Sequence, residues 1–177
     1  MKTKRKPAVL LAAIPLLLTA VAGCAPTVAL TPAADAVNPG CASIIVHLPS
    51  AINSLPIRQT DAQATSAWGN PTAVILRCGV TPPGPTTDTC YTVSGIDWLR
   101  DSSKAPTYIF TTYGRTPATQ VVVDAKLTSG QGTVVLNELA GAIGHVKQTS
   151  KCLTREDVLD SSGTTTEIPA TGATPAK

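Results

Sequence analysis

Residues 7–22 are apolar almost without a break, and four basic residues, Lys2, Lys4, Arg5 and Lys6, stand ahead of them. A run of this length fits the core of an export signal and is short for a membrane span. Pro15 near its middle weakens a permanent helix further. Apolar positions thin out afterwards and return at Cys41, Ile44, Ile45, Leu48, Ile52 and Leu55. That spacing is helical, and Pro49 interrupts it. It predicts a helix to about His47 and a short turn beyond. The run Ile44-Ile45-Val46 keeps a strand reading open.

The pattern then changes period. Residues 72–80 (TAVILRCGV) are rich in β-branched side chains and read as a strand. Residues 81–88 (TPPGPTTD) are turn chemistry, and residues 89–93 read as the returning strand of an arch. Residues 95–99 (GIDWL) form a further extended piece. Residues 106–113 (PTYIFTTY) and 118–124 (ATQVVVD) make a hairpin across Gly114-Arg115-Thr116-Pro117. Near the end Val135, Leu139, Ala142, Ile143 and Val146 share one helical face. These elements predict an α+β domain: an antiparallel sheet of about four strands, flanked by an N-terminal and a C-terminal helix.

The apolar run closes on Val21-Ala22-Gly23-Cys24, which resembles the bacterial lipobox. The resemblance implies that the Cys24 thiolate is joined to diacylglycerol and that the chain is cut before it. Two acyl chains make a stable anchor. The organisation predicted is therefore a signal peptide over 1–23, the lipidated cysteine with a flexible tether over 24–40, one domain over 41–160, and an unfolded tail over 161–177. The tether and tail readings rest on Ala, Pro, Thr and Gly content with little apolar mass. The expected address is the extracytoplasmic face of the cell membrane.

Export changes the charge. The whole chain carries +3, but the leader holds four of the fourteen basic residues and none of the eleven acids. Ten against eleven remain, a net of −1, which points away from nucleic acid. Export also fits the cysteines. Cys41, Cys78, Cys90 and Cys152 make an even set beyond Cys24, and an oxidising compartment predicts two disulfides. Four cysteines allow three pairings, among which sequence alone does not choose. The coarse elements suggest Cys78 with Cys90 across the arch and Cys41 with Cys152 between the helices.

Four stretches occur in order: Trp68-Gly69-Asn70-Pro71, Leu76-Arg77-Cys78-Gly79, Asp97-Trp98-Leu99 and Tyr113-Gly114-Arg115-Thr116-Pro117. Following a lipobox, this set resembles an actinobacterial family of secreted and lipid-anchored proteins, known only as domain of unknown function thirty-five-fifteen. The resemblance covers most of residues 41–152. It implies a cell-envelope setting and no established activity. High Ala, Thr and Pro with few aromatics suits such a source.

No nucleophile motif of the form Gly-x-Ser-x-Gly appears, and no His-Glu-x-x-His. His47 and His145 lie in predicted helices outside any motif, where a solvated histidine is the ordinary reading. The cysteines lack the close pairs of zinc ribbons and thioredoxin-like sites, so no metal or cofactor is expected. Arg77 stands inside a strand. It either pairs with Asp97 or Asp124 to fix register or clamps an anionic ligand. Arg115 sits at a hairpin tip, where solvation is the ordinary reading. All six aromatics, including Trp68, Trp98 and Tyr113, fall between 68 and 113. They read as core, or as a stacking face for an envelope sugar or peptide. The function expected is a non-enzymatic binding or structural lipoprotein, with an envelope protein or wall component as partner. The alternative is a cell-wall enzyme using Asp97 with Arg77 or Arg115.

Overall fold

The computed structural model describes residues 26–153. It is mostly β, with eight strands and two short helices. In chain order these are α1 (Pro39–Ile45), β1 (Ala51–Ile52), β2 (Leu55–Arg58), β3 (Thr65–Trp68), β4 (Val74–Val80), β5 (Cys90–Val93), β6 (Ile96–Asp101), β7 (Thr107–Thr112), β8 (Ala118–Asp124) and α2 (Gly132–Ile143). The strands form one antiparallel sheet in the order β1-β2-β3-β4-β8-β7-β6-β5. Two consecutive meanders, β1–β4 and β5–β8, are joined where β4 pairs with β8. Leu76 there faces Val121, and Arg77 faces Gln120.

The expected sheet of about four strands is thus corrected to eight. Three strands precede the first expected one. Their sequences hide the period of two: β2 carries Pro56, and β3 (TSAW) is buried along its whole length. The expected arch is also corrected. Residues 81–89 do not return the chain beside β4 but carry it to the opposite edge, where β5 pairs only with β6. The extended piece expected from Gly95 begins as a turn, because Ser94 and Gly95 both have positive φ. Asn53 and Ser54 do the same between β1 and β2. Two-residue turns of this hand match the twist of an antiparallel pair.

Both helices cover one face of the sheet. α1 starts at Pro39, with the Asn38 side chain accepting from the Gly40 N–H at 2.9 Å. α2 buries Val135, Leu136, Leu139, Ala142 and Ile143. These pack on Leu76, Trp98, Phe110, Val121 and Val123 in a single core. Glu138 of α2 accepts from the Asn53 N–H at 3.1 Å, which ties the first hairpin to the helix. Among the described residues no helix is long and apolar enough to cross a membrane.

The sheet's other face is partly covered by residues 26–36, the span whose composition reads as tether. Val28 forms a bridge to Thr60, and its N–H donates to the Gln59 carbonyl at 2.9 Å. The Leu30 N–H donates to Asp61 Oδ1 at 2.8 Å. Asp35 N–H reaches the Gly79 carbonyl at 3.0 Å, and Ala36 is buried. Gly79 has φ +91°, and a Cβ there would lie 2.3 Å from the Asp35 carbonyl carbon. Only glycine permits so close an approach.

The disulfides join Cys41 to Cys78 and Cys90 to Cys152, with Cα–Cα distances of 5.5 and 6.1 Å. The pairing suggested by the coarse elements is therefore corrected. Cys78 lies on β4 and Cys90 at the far edge, too distant to meet. Cys78 points instead toward α1, which brings Cys41 over it.

Candidate ligand cleft

The charges singled out in the sequence do not assemble into one site. Arg77 and Asp97 project from the same face of the sheet, but β8 and β7 lie between their strands. Three interstrand spacings separate them by roughly 14 Å. Arg77 Nη2 donates to Gln120 Oε1, its cross-strand partner on β8, at 2.5 Å. Asp124 is engaged elsewhere, accepting from the Lys126 N–H at 2.8 Å in the turn after β8.

Asp97 is buried, and both its oxygens are occupied. Oδ1 accepts from the Thr92 hydroxyl at 2.6 Å. Oδ2 accepts from Gln148 Nε2 and from the Cys152 N–H, each at 2.8 Å. Arg115 is also buried, against the expectation of a solvated turn. Its guanidinium donates to the carbonyls of Val146 and Gly95 and to Gln148 Oε1. Burial pushes its pKa down, and the nearby Asp97 charge opposes that. Asp97 and Arg115 together fasten the segment after α2 to the sheet.

Trp68 and Trp98 are fully buried, and Trp68 Nε1 donates to the Pro49 carbonyl at 3.1 Å. Tyr113 is partly buried, its N–H bonded to the Asp97 carbonyl at 2.8 Å. His47 and His145 are exposed and stacked, with ring centroids 3.8 Å apart. Cys24 lies outside the described residues, as do the leader and the tail.

A different group of residues surrounds a cavity. Tyr91, Arg100, Tyr108, Phe110, Val123 and Leu136 lie among the walls of a cleft of about 540 Å³ between the start of α2 and β5–β8. Phe110, Val123 and Leu136 make an apolar floor. The Arg100 guanidinium stands over the Tyr91 ring at 5.0 Å and the Tyr108 ring at 5.8 Å from their centroids. No lining residue is acidic. Arg100 was not among the residues the sequence brought forward. The signal was there: Ile96, Trp98 and Arg100 alternate along β6, which turns Arg100 to the same face as the buried tryptophan.

An antiparallel sheet, covered on one face by two helices and braced by two disulfides, defines a small bridged β-rich domain with a lined cleft beside α2. The chain belongs to the family described as "Protein of unknown function (DUF3515)", whose model matches residues 7–152. No curated protein matches it, and no solved structure does.

Proposed function

We propose that the chain is an exported lipoprotein on the outer face of the cell membrane, a non-enzymatic module that binds a component of the envelope. One observation carries the reading. Four of the five cysteines pair with one another, so Cys24 has none of them for a partner. It follows an apolar run and a Val-Ala-Gly triplet, the setting in which a thiolate is acylated. Two disulfides also suit an oxidising compartment outside the cytoplasm. The family match begins at residue 7, inside the apolar run. A wall-cleaving enzyme built on Asp97 draws no support from the geometry, since that carboxylate is buried and fully bonded.

The test is metabolic labelling with a clickable fatty acid. Wild-type protein should take up label and migrate as the processed form. Cys24→Ser should take up none and accumulate as precursor, because the hydroxyl does not replace the thiolate as nucleophile. Label retained on the variant would overturn the anchor.

A further inference from the structure

We propose that the cleft between α2 and β5–β8 binds a small amphiphilic anion, with its acidic group on Arg100 and its apolar body against Phe110, Val123 and Leu136. The proposal rests on the binding-module part of the reading above and is independent of the anchor. The cavity, about 540 Å³, is of the size that holds small ligands. Its floor is apolar and its rim carries one charge, so it suits a molecule divided the same way.

Arg100 is the centre of the case. Among the described residues its guanidinium has no hydrogen-bond or ion-pair partner; its contacts are the two tyrosine rings. Cation–π contacts at these distances satisfy none of the guanidinium N–H groups with an oxygen acceptor, so the fork is open to a ligand. A fork held in this way meets a carboxylate or phosphate with two parallel hydrogen bonds. No acid lines this cleft; Asp88 and Asp101 border an adjoining cavity that Arg100 also lines, and neither pairs with it among the described residues.

Gly132 supplies the opening. Its φ is not in the left-handed region, and a Cβ would sit 3.8 Å from the Phe110 ring, an ordinary contact. Neither backbone strain nor packing requires glycine there. The absent side chain keeps the space beside Phe110 clear.

The test uses the full chain reconstituted in phosphatidylcholine nanodiscs, titrated calorimetrically with 4-phenylbutyrate and with its neutral analogue 4-phenylbutyramide. The acid should bind at least about tenfold more tightly, the effect of one charge-assisted bidentate contact. Arg100→Gln should erase that preference, with the acid's affinity falling far more than the amide's. Arg100→Lys, which keeps the charge but loses the fork, should fall between. Gly132→Leu should weaken both ligands by filling the space at Phe110. Thermal melts of each variant should match wild type, which separates a lost ligand contact from a lost fold. Discs containing phosphatidylglycerol distinguish two sources of the anion. Weaker phenylbutyrate binding in them assigns the site to a lipid headgroup, and unchanged binding assigns it to a soluble acid; both uphold the cleft. Equal affinity for acid and amide, or an unaltered preference in Arg100→Gln, would overturn the proposal. Should the fatty-acid labelling fail, the anchor falls, and the same acid, amide and variant titrations are run on the full chain in buffer without discs.

Discussion

Asp97 Oδ2 accepts the backbone N–H of Cys152 at 2.8 Å, fifty-five positions along the chain. The same oxygen holds Gln148, so the segment leaving α2 is pinned to β6 beside the Cys90–Cys152 bridge. Hydrogen bonds to a charged group contribute about 1.5–3 kcal/mol each. Asp97→Ala should therefore lower unfolding free energy by about 3 kcal/mol or more, read from a denaturant midpoint. Asp97→Asn should cost only about 1 kcal/mol. Its oxygen can accept from Gln148 and Cys152 while its amide donates to the Thr92 hydroxyl. Equal losses in the two variants would show that charge, not bond geometry, dominates the clamp.

Arg77 gives a second prediction. Its partner is Gln120, and Asp97 stands two strands farther off. A double-mutant cycle of Arg77→Ala with Gln120→Ala should show coupling of about 1 kcal/mol. The cycle of Arg77→Ala with Asp97→Ala should be additive to within about 0.5 kcal/mol. Strong coupling in the second cycle would contradict the strand order.

The third concerns Gly79, where the strap of residues 26–36 meets β4. A methyl group at this position collides with the Asp35 backbone and also strains a positive φ. Gly79→Ala should cost about 2 kcal/mol or more and open residues 26–36 to protease. Thermal unfolding and limited proteolysis read the two effects separately. An unchanged melting temperature with an intact strap would refute the close approach.

The parts of the fold that alternate in sequence were legible. β8 runs over Ala118–Asp124, the very span the pattern predicts, and β7 and α2 fall within a few residues of theirs. β1 to β3 were not. The helical spacing from Ile44 ran on through Ile52 and Leu55, which belong to a hairpin, and Pro56 masks the strand. The disulfides were missed for a topological reason. Nearness in sequence favoured Cys78 with Cys90, but between them the chain passes β8, β7 and β6 to reach the edge of the sheet, and no local pattern records a crossing. The site was legible only in part. Asp97 stood out as a charge in apolar surroundings, which is what a buried structural polar group looks like, whereas Arg115 at its hairpin tip read as solvated and is buried by the segment after α2. Arg100 lies at the open end of its strand, where a charge attracts no notice until α2 is seen above it.

The docked strap has a spatial consequence. With a lipid on Cys24, only Ala25 separates the anchored residue from Pro26, whose carbonyl accepts from Arg58 at the β3–β4 end of the sheet. Two Cα steps span about 7 Å. The leash is then shorter than the domain itself, whose radius of gyration at this length is roughly 14 Å. If Cys24 carries the proposed lipid, such a body would ride at the bilayer surface with the Asn70–Pro71 turn toward the lipid. Its search for a partner would then be a diffusion in two dimensions. A target fixed far out in the wall would stay beyond its reach, and one moving in the same membrane plane would meet it often.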